Sequence, residues 1–290
     1  MKILTRGDIT LIESNLIESS TRFNLGEAYT KGDKINDGKC IYQALSDNVD
    51  KPLDDKSVWE RVGSTNEWAC FDYYLNTQSE AKECICLTFG CFGAKALYIS
   101  GLEAKYLSIE VIDSLTAEVI ESKEYKLYAQ NIASWSEYFF GSWGRKFKRN
   151  IYYERSTFTR NVYFRIRAYG TSIVRIGSII CGDLLELATT LYDGNAISML
   201  DFSKVQTDES GNTQLTKGNF KRTNAFNIIV PDSELNRVSY ELAELRGEAV
   251  VFVIATNYEA LINFAFLKNH EIVLSKVGRS IVSIEIEGLI

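Results

Sequence analysis

Apolar and polar residues alternate with a period of two along much of this chain. Leu107, Ile109 and Val111 fall on one side of a strand while Ser108 and Glu110 fall on the other. A turn at residues 113–117 then leads into Glu118 to Glu121. Phe164, Ile166 and Ala168 alternate with Arg165 and Arg167, and near the end Val282, Ile284 and Ile286 alternate with Ser283, Glu285 and Glu287. Ile197 to Val205 and Gln214 to Val230 flank the turn-forming group 207–212 and read as a long hairpin, and Val250 to Ala255 reads as a buried strand. The helical period is convincing in one place. After Pro231, Leu235, Val238, Leu242 and Leu245 form a stripe, Asp232 or Ser233 stands where a cap is needed, and Gly247 stands where the helix must stop.

The first part of the chain is different. Lys31-Gly32-Asp33, Asn36-Asp37-Gly38 and residues 46–55 break it into short apolar pieces, and Asn36-Asp37-Gly38 between Ile35 and Cys40-Ile41-Tyr42 reads as a hairpin turn. These patterns predict a mainly β protein of three units. They are a small β-module over 1–65, a central antiparallel β-sandwich of jelly-roll type over 66–185, and a β-sheet with one packed helix over 186–290.

Composition agrees with strands. Sixteen Tyr and fifteen Phe make aromatics 12% of 290 residues, and such side chains suit half-buried pleated surfaces. Lys and Arg total 32 against 38 acids, a net charge of −6 that argues against a general nucleic-acid binder. The balance is uneven. From Arg145 to Arg175 nine basic residues face one acid, so this segment carries +8 and the remainder −14. The opening residues have no apolar core of signal-peptide length, so the six cysteines are expected to be reduced thiols of a cytosol. Cys84-x-Cys86 with Cys91 lacks a second ligand pair at zinc spacing and reads more simply as small residues of a strand. No apolar run approaches the roughly 18 residues of a membrane-spanning helix, so no membrane span is expected.

Catalytic chemistry finds little to use. His270, the single histidine, sits in Lys268-Asn269-His270-Glu271, which reads as an exposed turn, and no nucleophile elbow, zinc-protease motif or phosphate loop is present. Carboxylate pairs for glycoside hydrolysis exist in any acidic chain, but Asp201, Asp208, Glu209, Glu285 and Glu287 read as solvated strand and turn residues. The expectation is a protein that is not an enzyme and needs no cofactor or metal. The basic segment interleaves cations with Phe147, Tyr152, Tyr153 and Tyr163, as single-stranded nucleic-acid platforms do, but a sandwich strand with one charged face gives the same pattern. Docking onto an acidic neighbour or a second copy is the preferred role for Arg145, Lys146, Lys148, Arg149, Arg165 and Arg167. Tyr29, Tyr42 and Trp59 are candidates to present aromatic faces to sugar rings. In a module of this size the largest aromatics are also its natural core, and the sequence leaves both roles open.

Two resemblances bear on function. Tyr29-x-x-Gly32-Asp33-x-Ile35, Tyr42-x-Ala44, Pro52 and Trp59 resemble the chitin-binding type 3 (carbohydrate-binding module 5/12) motif. Gly63-Ser-Thr-Asn66-x-Trp68-Ala-x-Phe71-Asp72, with Ile176-Gly177, Gly182, Asp201-Phe-Ser203, Asp208-Glu-x-Gly211 and Ile286-Glu-Gly-Leu289, is similar to tailed-bacteriophage tail and baseplate proteins. The second resemblance implies a structural virion protein of a tail, assembled in the host cytoplasm as a ring or trimer and docked to other tail proteins. A host-surface carbohydrate-binding adhesin is the alternative expectation, and a polysaccharide-cleaving enzyme a more distant one.

Overall fold

The computed structural model describes residues 1–72, 74, 77–129, 135, 139, 146–157, 161–207, 211–276 and 278–289. They build a mainly β protein of several antiparallel sheets that divides into two compact units. One is formed by residues 1–6 with 181–290, the other by residues 7–180.

The unit of residues 7–180 contains a five-stranded antiparallel sheet, ordered Val119–Lys126, Tyr106–Asp113, Val162–Ile176, Ser79–Cys91 and Ile9–Ser14. The period-two pattern places its faces as expected. Leu107, Ile109, Val111, Phe164, Ile166 and Ala168 are all buried, as are Ile85, Leu87 and Phe89 on the neighbouring strand. A three-stranded sheet, Ile151–Glu154, Ala96–Ser100 and Ser178–Gly182, adds the buried Leu97, Ile99, Ile151 and Tyr153. Together they give the β-sandwich character read from the alternation.

The small module occupies part of the same unit. Its four-stranded sheet runs Thr21–Arg22, Lys34–Asn36, Cys40–Ala44 and Trp59–Ser64, with Ala28–Tyr29 paired to Asn48–Val49 beside it. The Asn36-Asp37-Gly38 turn forms as expected: Gly38 has φ +100°, and Asp37 Oδ1 accepts from the backbone N–H of Lys39 and Cys40. Residues 63–72 tie the module to the sandwich. Asn66 donates from Nδ2 to the carbonyls of Ile17 and Glu80 and accepts from the Glu80 N–H, while Phe71 stacks edge-on against Phe89 with ring centroids 5.1 Å apart.

The other unit is a single twisted sheet ordered Leu184–Glu186, Lys2–Leu4, Ala249–Val253, Ile262–Lys276, Arg279–Gly288, Phe220–Pro231 and Thr189–Thr190, with Ala196–Asp201 also paired to Phe220–Pro231. The helix Leu235–Glu244 packs Val238 and Leu242, followed by Leu245, against Phe226, Ile228, Phe252 and Ile284. Gly247, at φ +77°, ends the helical segment as expected.

Three expectations differ from the structure. The opening residues were read as part of a module ending at 65, but Ile3 and Leu4 are fully buried in the C-terminal sheet, between Leu184–Glu186 and Ala249–Val253. Ile9–Ser14 likewise belongs to the sandwich, where it pairs with Ser79–Cys91. The turn read around His270 is instead the interior of strand Ile262–Lys276, where a bulge between Leu267 and Asn269 absorbs the polar residues and His270 pairs with Ile284. Neither Asp232 nor Ser233 caps the helix. Asp232 turns its carboxylate to the Gly278 N–H at 2.8 Å and the Ser280 hydroxyl at 3.1 Å, securing the neighbouring hairpin turn.

Candidate functional site

Trp59 and Tyr29 are 2% and 8% exposed, and their rings meet edge to face at 5.3 Å. Phe23 stacks on Tyr29 at 5.9 Å and stands edge-on to Trp59 at 6.0 Å, and Ile35, Ala44 and Val58 close the cluster. The polar ends are also engaged: Trp59 Nε1 donates to the Lys51 carbonyl, and the Tyr29 hydroxyl accepts from the Asn24 N–H. These faces stabilise the module by packing on one another, so neither is presented to a ligand. Tyr42 is partly exposed and its hydroxyl donates to Asp37 at 3.3 Å. The structure therefore does not assemble Tyr29, Tyr42 and Trp59 into a common platform. The reason is size: a module with so few aliphatic side chains uses its largest rings as core.

Four of the basic residues of this segment, Arg149, Arg165, Arg167 and Arg175, meet acids. Arg165 lies directly opposite Glu110 in the antiparallel register and reaches it at 3.3 Å, and Arg167 reaches the same carboxylate at 2.8 Å. Arg175 bridges Glu80 at 3.2 Å and Glu103 at 3.0 Å, and Arg149 approaches Glu103 at 3.6 Å. Arg155 is buried and donates to the Ala94 carbonyl. Lys148 is exposed; Arg145 lies outside the described residues, as does the side chain of Lys146. Counting charge along the chain concealed this pairing, because Glu110 is 55 residues from Arg165 and Glu80 is 95 from Arg175.

A different surface stands out. Strand Ala196–Asp201 pairs with Phe220–Pro231 from Ala196↔Ala225 to Asp201↔Phe220, and Phe202 N–H continues the pairing to the Asn219 carbonyl at 3.0 Å. Lys204–Thr207 then pairs with Thr213–Thr216, making one long hairpin arm. Every residue of strands Ala196–Asp201, Lys204–Thr207 and Thr213–Thr216 is exposed. Along the arm Ile197, Met199, Leu200, Phe202, Val205, Leu215 and Phe220 keep between 45% and 69% of their surface in water. The register places Ile197, Met199 and Phe220 on the face that continues into the buried Asn224, Phe226 and Ile228, so the core side of the sheet runs on past its own cover. Val205 and Leu215 stand opposite each other further out. The hairpin was legible in the sequence. Its lack of cover was not, since exposed and buried apolar strands share one pattern.

The carboxylate of Glu121 is strongly perturbed. Burial pushes it up, but hydrogen bonds from the hydroxyls of Thr157 and Tyr153 and the N–H groups of Thr157 and Ser156 outweigh burial and hold it down to about 2. This group ties Val119–Lys126 to the residues after Ile151–Glu154 and has no nucleophile or base beside it among these partners. Among the described residues no three of His, Cys, Asp and Glu cluster closely enough to hold a metal ion, and no helix is long and apolar enough to cross a membrane. No protein-family model and no curated protein sequence matches the chain.

Proposed function

We propose that this protein is a structural component of a bacteriophage tail or baseplate that works by docking, through its hairpin arm, onto further copies of itself or other tail proteins. The observation that carries the docking part is the arm itself. Seven large apolar side chains at about half exposure lie along it, Ile197, Met199 and Phe220 on one face, Leu200 and Phe202 on the other, and Val205 and Leu215 further out. Exposed large apolar side chains gathered along one arm mark an interaction surface, and a long strand edge invites pairing with another chain. The bacteriophage part rests on the resemblance carried by residues 63–72 and by Asp201-Phe-Ser203, the latter on the arm. A carbohydrate-binding adhesin gains no support from Tyr29 and Trp59, whose faces are spent in the core.

Light scattering on the purified chain, alone and mixed with the tail proteins of the encoding phage, tests the docking. A discrete assembly that falls to monomer in the double variant Ile197→Asp, Leu215→Asp is expected, because exposed positions tolerate charge without unfolding. A monomer in every mixture overturns docking. Immunolabelling of virions tests the tail assignment, and label absent from the tail overturns it.

A further inference from the structure

Cys84 and Cys86 stand two apart on strand Ser79–Cys91, on the outer, polar face of the sandwich, with Tyr169 and Arg167 opposite them. Their sulfurs are 3.1 Å apart and both residues are partly exposed, whereas Cys70, Cys91 and Cys181 are buried. The backbone around them is not that of a regular ladder. Glu83 has φ +66°, and the pairing with Val162–Ile176 shifts between Tyr169 and Ile173, opposite Cys84 and Lys82. On the other side the Asn15 amide takes the place of a strand: Nδ2 donates to the Cys84 carbonyl at 2.9 Å, and Oδ1 accepts from the Cys86 N–H at 2.8 Å.

We propose that Cys84 and Cys86 form a redox-responsive dithiol that closes reversibly to an intrastrand disulfide by exchange with a low-molecular-weight disulfide such as oxidised glutathione. Strand geometry puts residues two apart about 6.7 Å between Cα atoms, at the upper end of the roughly 4.4–6.8 Å that a disulfide spans. The break at Glu83 and the side-chain anchor at Asn15 let the backbone shorten there more easily than a complete ladder would. Closure pulls on Ile85, which is fully buried and paired with Ala168, so the bond is under tension and opens readily.

Burial, then the hydrogen bond to Cys86, push the Cys84 thiol up. The exchange runs in two steps. One cysteine of the pair, as its thiolate, attacks one glutathione sulfur, the glutathione S–S bond breaks, and one glutathione thiolate leaves. The other cysteine gives its proton to solvent and attacks the glutathione-bearing protein sulfur, which forms the intrastrand bond and releases the second glutathione. Two electrons pass from the pair to glutathione, and two protons end on the two released thiols.

Incubation of the full chain with oxidised glutathione, followed by peptide mass mapping without reduction, is the test. The expected product lacks two hydrogens on the peptide spanning 84–86, carries no adduct there, and reverts in excess reduced glutathione. Cys84→Ser and Cys86→Ser, near-isosteric changes at partly exposed positions, should each arrest with glutathione on the remaining cysteine. A stable adduct on the wild-type pair, no reaction at the pair while partly exposed Cys40 is modified, or a bridge to another cysteine would each overturn the proposal.

Discussion

Trp59 shows how one residue can carry a motif and still serve packing. Its indole meets Tyr29 and Phe23, and removing it opens a cavity in a core of about eight side chains. Trp59→Ala should cost about 3–5 kcal/mol and unfold the module around residues 21–64, seen as lost amide protection in Lys34–Asn36 and Cys40–Ala44. Retained protection would mean that the ring is not structural. Glu121 gives a pH signature. Its folded pKa lies below the ordinary 4.5, so the stability it contributes is fully present above that value and is lost as pH falls through about 2. Glu121→Gln should therefore be less stable than wild type at neutral pH, and denaturant midpoints should converge between about pH 4.5 and 2. A gap constant across that window would rule out the hydrogen-bonded carboxylate as its source.

At the scale of elements, the two strands of the arm approach closely at Gly218. A Cβ on Gly218 would stand 2.3 Å from the Phe202 carbonyl oxygen and 2.8 Å from the Ser203 nitrogen, both backbone atoms that cannot move independently. Gly218→Ala should splay the arm at Phe202 while leaving the sheet below it intact. Faster hydrogen exchange confined to 196–219, with a lowered assembled mass, is the expected reading; unchanged exchange there would show that the strands part without cost. The strand Val162–Ile176 shows the opposite economy. Its charged face, which reads in sequence as a docking stripe, places Arg165 and Arg167 on the single carboxylate of Glu110, with side chains one-third or less exposed. Cross-strand register consumes charge that a linear count assigns to a partner.

For the whole molecule the decisive element is three residues long. Lys2–Leu4 lies between Leu184–Glu186 and Ala249–Val253, with Ile3 and Leu4 fully buried. Ile3→Lys places a charge among the buried apolar side chains of this core and should destabilise the sheet by several kcal/mol. Faster exchange of the Ala249–Val253 amides would report it, and unchanged exchange would show that this strand is dispensable. Removing residues 1–65 would also take this strand, so a variant probing the small module must leave residues 1–14 in place.

Alternation along the chain determined the strands and their buried faces at 107–111, 164–168 and 282–286, and a three-four period with Gly247 determined the helix, because these are local relations between neighbouring side chains and one backbone geometry. The tertiary structure alone decided which sheet Ile3 joins, that Trp59 and Tyr29 face each other, that Glu110 takes two arginines, and that Ile197, Met199, Leu200, Phe202, Val205, Leu215 and Phe220 stay about half exposed. Each of these depends on partners tens to hundreds of residues away, and no local pattern records which partner a face will meet or whether it will meet one at all.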